Sequence, residues 1–183
     1  MRTRTILVCG ALLLTVACAA SGDSTGEGSG ERGADMNMQE AAGRADAILD
    51  STFAGIRPAV EWTHGESTQG SCDVSRRRAV LTVISEERRG SFLGVVERVW
   101  KAAGYHRIGV TANADSPATY FETPDRFRVR LLIGGSGQAF FEVATPCVEE
   151  SPVAPPPPGG VDRPAGPIPR PQVRSSFWSV GAP

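Results

Sequence analysis

The chain has 183 residues, of which 40% are hydrophobic and 21% charged, with a formal net charge of −1 at pH 7. That near-neutral balance excludes bulk nucleic-acid binding, which draws on a strongly basic domain. The length suits one modest domain with additional segments.

The N-terminus reads MRTRT, with Arg2 and Arg4 as its charges, followed by the uncharged run Ile6 to Ala17. A basic start, a short apolar stretch and small residues at its end are the marks of an export signal over 1–17. The run holds 12 residues, well short of the roughly 20 that a spanning helix needs. It ends in LTVAC, Leu14 to Cys18, which resembles the lipobox of bacterial lipoproteins. The resemblance implies that the Cys18 thiol receives a thioether-linked diacylglycerol and that cleavage leaves Cys18 as the first mature residue. The alternative is a plain export signal with an incidental cysteine. Two or more acyl chains anchor a protein stably to a bilayer, so the implied location is the outer face of the cell membrane.

Residues 18–35 then form a tether. The stretch from 19 onward holds five glycines and three serines and almost nothing apolar, so it cannot bury enough surface to fold. A globular domain is expected over 36–150. From Met38 to Ile56 the apolar residues recur at spacings of three and four, which predicts a helix with Asp35 as its N-cap and Gly55 and Pro58 as stop signals. VEWTHG (60–65) reads as a weak strand and RRAVLTVIS (77–85) as a β-branched one. A second helix is predicted over Ser91–Gly104, with Phe92, Val95, Val96, Val99, Trp100 and Ala103 on one face. Four strands follow at 105–113, 118–123, 126–134 and 137–145, separated by Asn/Asp/Ser/Pro and glycine turns. The order α-β-β-α-β-β-β-β predicts an α+β fold with both helices packed on one face of an antiparallel sheet. Residues 151–183 hold ten of the fourteen prolines. PPPP and PIPRP favour polyproline II, so this tail is expected to stay disordered, either as a spacer or as a peptide offered to a proline-binding groove.

Four cysteines are present. On the lipobox reading, Cys9 leaves with the signal and Cys18 is the lipid site. That leaves Cys72 and Cys147, for which a disulfide is the default outside the cytoplasm. A reactive or metal-binding thiol pair is the alternative, but no CxxC occurs and there are only two histidines. No metal or other cofactor is expected, since HExxH is absent. Arg126, Arg128 and Arg130 alternate with apolar residues and form a candidate anionic-ligand face for phosphate, a wall polymer or an acidic headgroup. The competing reading is a solvated sheet face balanced by Glu86, Glu87, Glu97, Glu122 and Glu142. No catalytic set is legible. GxSxG is absent, and GGSGQ (134–138) reads more simply as a hairpin loop than as a nucleophile turn. Trp100 is expected in the core, and Trp62 at the edge of a strand, partly exposed and available to stack on a sugar.

LTVAC, the Gly/Ser/acidic tether, the Cys72/Cys147 pair and the Ala/Arg/Gly/Val-rich usage together resemble the small secreted lipoproteins of high-GC Gram-positive, actinobacterial bacteria. The core, from WTHGESTQGSCD through SEERRGSFLGVVERVW to GQAFFEVATPCVE, looks like an uncharacterised family of them. The resemblance implies lipidation at Cys18 and a place at the envelope, and no activity. The expected role is a binding or accessory lipoprotein, with the membrane as partner through its anchor and an envelope protein or anionic wall polymer as a further one. The alternative is a cell-envelope hydrolase or enzyme accessory using the region around His64.

Overall fold

A computed structural model of the chain describes residues 36–134, 136–162 and 166–182. The signal, Cys18, the tether and Asp35 lie outside the described residues.

The first helix, α1, runs Met38–Gly55. Its N-cap is Asn37, whose side chain accepts from the Glu40 N–H while the Glu40 carboxylate accepts from the Asn37 N–H. This reciprocal capping box satisfies two of the donors a helix start leaves open. The stripe Met38, Ala41, Ala42, Ala45, Ile48 and Leu49 is buried, as the spacing predicts. The second helix, α2, spans Glu86–Ala102 and begins five residues before the predicted start at Ser91. Phe92, Val96 and Trp100 line its buried face. The indole N–H of Trp100 donates to Thr52 Oγ at 2.9 Å and ties the two helices together. Gly104 ends the second helix at φ +82°, a conformation in which glycine carries no Cβ penalty.

The strands are β1 (Trp62–His64), β2 (Thr68–Gln69), β3 (Val74–Val80), β4 (His106–Thr111), β5 (Ala118–Glu122), β6 (Arg128–Ile133) and β7 (Ala139–Ala144). They form one sheet in the order β1-β3-β7-β6-β5-β4, with β2 also paired to β3. Every pairing is antiparallel. The α+β architecture and the C-terminal meander are as the sequence predicts. Phe121, Val129, Leu131, Ile133, Phe141 and Val143 supply the sheet's share of the core beneath the helices.

Two strands depart from the expectation. The strand predicted at 77–85 runs instead over Val74–Val80. Its inward positions are Val74, Arg76, Arg78 and Val80, all at most 3% exposed. Two buried arginines in that row erase the hydrophobic alternation from which the strand would be read. β2 is a two-residue strand too short to carry a period.

The larger correction concerns 151–183, which is not a disordered tail where it is described. Its residues pack on the domain and belong to it. Trp178 is fully buried and meets Phe92 edge-on with ring centroids 5.1 Å apart. Its indole N–H donates to the Pro58 carbonyl at 2.7 Å. Val173 forms a parallel bridge to Thr82, and Gln138 Nε donates to the Pro169 carbonyl at 2.8 Å. Proline-rich chain has no hydrophobic period, yet its own stiffness lowers the entropy lost when it docks. Apolar positions such as Trp178 then decide whether it does.

Candidate functional site

Residues 62–69 form one edge of the sheet. β1 pairs with β3 through Trp62↔Val80 and His64↔Arg78, and β2 pairs with the same strand through Gln69↔Val74. Between them the chain bulges at Gly65, whose N–H still reaches the Arg77 carbonyl at 2.8 Å. A strap, residues 151–162, runs beside this edge. It is fastened at one end where Ser151 accepts from Gln39 N–H, and at the other where Val161 N–H donates to the Trp62 carbonyl at 2.7 Å. The sequence PPPPGG explains the path. Four prolines hold the strap extended, and Gly159–Gly160 then turns it onto Trp62. Gly160 has φ +68°, and a Cβ there would lie 2.8 Å from the Trp62 ring.

Between edge and strap lies an open cleft of about 600 Å³. Its sheet wall carries Thr63, His64, Ser67, Thr68, Gln69 and Arg76, and its strap wall is largely apolar, from Val153 to Val161. Arg76 connects the cleft to an ionic cluster held under α1. The Arg76 side chain is 3% exposed and its Nε lies 3.3 Å from Asp46 Oδ2. Its two other nitrogens donate to Ser67 Oγ at 3.0 Å and to the Ala154 carbonyl at 2.7 Å. One guanidinium thus joins α1, the β1–β2 link and the strap. Arg78 donates to Asp50 at 2.7 Å, and its guanidinium lies 3.9 Å from the Trp62 ring centroid. The planar, always-charged fork of arginine suits both tasks, since its nitrogens diverge toward separate partners and its face stacks on an aromatic ring.

Burial raises the Asp46 carboxyl above its ordinary value of 3.8, and the nearby charges of Arg76 and Arg78 only partly oppose it. Burial lowers His64 below its ordinary 6.5, reinforced by the Arg78 charge and opposed by Asp46 and a backbone bond to Pro157. A histidine with a depressed folded pKa takes up its proton more readily when the chain unfolds, so stability is retained above pH 6.5 and lost as pH falls below it. Asp46 has the opposite sign. Its raised pKa makes the folded state the better proton acceptor, so its contribution grows as pH falls through that raised value. We expect His64→Gln to remove the histidine's share of the loss between pH 7 and pH 5, so that the slope of its unfolding free energy against pH in urea titrations is less positive than the parent's. An unchanged slope in the variant would contradict the assignment.

The residues singled out from the sequence are placed as follows. Cys72 and Cys147 form a disulfide with Cα atoms 4.8 Å apart, across a separation of 75 residues. Closing a loop of that size stabilises a fold by about 2–4 kcal/mol. It pins the loop between β2 and β3 to the end of β7, where the strap begins. Arg128 and Arg130 lie on the sheet face away from the helices. Arg126 does not join them. It sits in the turn before β6 at φ +69°, because the chain reverses there through the Thr123–Phe127 hydrogen bonds. Arg130 and Arg77 share the Glu142 carboxylate, and Arg128 lies 3.8 Å from Glu122. His106 is on β4, at the opposite edge from His64, so the two histidines share no site. Trp100 is in the core and Trp62 half-buried. Among the described residues no group of three His, Cys, Asp or Glu side chains is placed to hold a metal ion, and no helix is long and apolar enough to cross a membrane.

Sequence reasoning missed the cleft. The run Arg76–Arg78 carries no period that marks two of its members as buried, although Asp46 and Asp50, i and i+4 on the predicted helix, are a visible signal of partners for them. The strap's docking had one sequence signal, the Gly-Gly pair directly after four prolines.

No family model and no curated protein matches the chain. Among solved structures, the chain is similar to a DUF4853 family protein from Actinomyces odontolyticus ATCC 17982, at 9% identity and a TM-score of 0.30. The likeness covers 57% of this chain and 61% of that one. A likeness of that order carries no argument about function.

Proposed function

We propose that this protein is a lipid-anchored, extracytoplasmic binding or accessory module of the cell envelope, and that the cleft between the β1–β2 edge and the strap is its binding site. The observation that carries the reading is the cleft itself. It is open, about 600 Å³ in volume, and walled by polar side chains on one side and a stiff proline segment on the other. Concave sites with apolar walls and a few placed polar groups are where small ligands and peptides bind. Its Arg76 guanidinium is engaged in holding the walls together, which suits a rigid receptor better than a catalytic centre. LTVAC supports the anchor, and the Gly/Ser-rich tether would hold the domain off the bilayer with a typical reach of roughly 20–25 Å.

The anchor is tested by fractionation. Wild-type protein is expected in the membrane fraction and Cys18→Ala in the soluble or secreted one. Full membrane retention of the variant would sink the lipid-anchor reading. The cleft is tested in the same cells with a photo-crosslinking residue in place of Thr68, which should yield an adduct that the same residue at Ile108, on the far edge, does not.

A further inference from the structure

We propose that the cleft takes an extended peptide, laid alongside the β1–β2 edge as an added strand; this rests on the binding-site reading above. The argument begins with backbone groups. Leu81 N–H donates to the Glu61 carbonyl and Gly65 N–H to the Arg77 carbonyl. Those two edge residues therefore face β3. Antiparallel pairing alternates, so the backbone of Trp62 and His64, between them, faces the strap. On β2, Gly70 N–H donates to the Asp73 carbonyl, which turns the backbone of Gln69 the same way. The strap's backbone donates to this edge at one end, through Val161 at Trp62, and at its other end the Ser151 carbonyl accepts from Gln69 Nε; between them the Pro157 carbonyl accepts from the His64 ring.

Between those ends stand Pro155, Pro156, Pro157 and Pro158. A proline has no N–H, so this stretch cannot donate to the edge as a strand would. It offers carbonyls alone. The cleft is thus bounded by a sheet edge on one side and by acceptors on the other. An extended peptide presents N–H and C=O groups to both sides, which is the chemistry of strand addition. His64 and Gln69 pair with Arg78 and Val74, four residue steps apart on β3, about 13 Å at the rise of a strand, room for a guest of about four residues. Its side chains would meet Val74, Val153 and Pro155 on apolar ground, and the hydroxyls of Thr63 and Thr68. Arg76 makes no demand for an acidic guest, because its nitrogens are engaged by Asp46, Ser67 and Ala154.

The test uses the mature chain with Cys18→Ser and a phage-displayed library of random heptapeptides, followed by titration of the selected peptides. Two variants accompany it. Gln69→Pro removes an N–H that faces the cleft, and Thr68→Trp fills the cleft from an exposed position. Both are first matched to the parent by thermal unfolding, and Thr68→Trp alone decides if Gln69→Pro fails to fold. Selected peptides are expected to bind the parent at least tenfold more tightly than the variants. They should slow amide exchange in 64–69 and 153–161. Recovery of no peptide, or of peptides indifferent to both variants, would overturn the proposal. Protection of the same amides by a neutral N-acetylated oligosaccharide instead, lost in Thr68→Trp, would overturn the peptide assignment and leave the binding site standing. Protection by neither probe would remove both.

Discussion

Replacing Trp178 with alanine is expected to lower the unfolding free energy by about 3–5 kcal/mol, the range for emptying a buried aromatic site. Trp178 is fully buried and T-shaped against Phe92. Its backbone carbonyl accepts from the Ser85 N–H at 2.9 Å, at the N-cap of α2. The next residue, Ser179, donates its hydroxyl to the Val83 carbonyl at 2.7 Å. The loss is therefore a cavity in the core and a loosened start to the second helix together. Urea denaturation measures it. Trp178→Phe keeps most of the apolar surface but leaves the Pro58 carbonyl without the indole donor, and should lose about 1–3 kcal/mol. A chain ending at Glu150 should fare worse than either, because it also uncovers Phe92 and removes the strap. A Trp178→Ala variant within 1 kcal/mol of the parent would show that the C-terminal segment is an accessory to the domain rather than a part of it.

Arg76→Ala is expected to cost about 3–5 kcal/mol at neutral pH, because it strands the Asp46 carboxylate in a buried site. Both side chains are nearly inaccessible, at 3% and 6% exposure. The penalty should shrink as the pH falls, since Asp46 already takes up its proton above the ordinary carboxylate range and its neutral form needs no counter-charge. Replacing the pair together, Arg76→Met with Asp46→Leu, should recover much of the stability, as removal of both buried charges commonly does. It should not recover the strap. The Ala154 carbonyl would still lack its donor, and amide exchange at Ser151, Val153 and Ala154 should be faster than in the parent. A double variant with native exchange there would show that the prolines hold the strap without Arg76.

The helices were legible because a helix declares itself locally. Spacings of three and four from Met38 to Ile56, and from Phe92 to Trp100, mark a buried stripe whatever the rest of the chain does. The meander was legible for the same reason, with turn residues between alternating runs. β3 was not, since its inward row holds Arg76 and Arg78, and only α1 supplies the carboxylates that make burying them tolerable. The candidate arginine face was half legible: alternation placed Arg128 and Arg130 together, but the turn that carries Arg126 away depends on the Thr123–Phe127 contacts.

Local periodicity was thus enough for the two amphipathic helices and the antiparallel sheet beneath them, and the cysteine count was enough to name Cys72 and Cys147 as the candidate pair. Only the tertiary structure decided the fate of residues 151–182 and the existence of the cleft. Both depend on contacts between segments some 80 to 120 positions apart, such as Arg76 with Ala154 and Trp178 with Pro58. A proline-rich segment carries no period from which its docking could be read. Its place is set by whether the folded sheet presents a partner for each group it would otherwise leave in water.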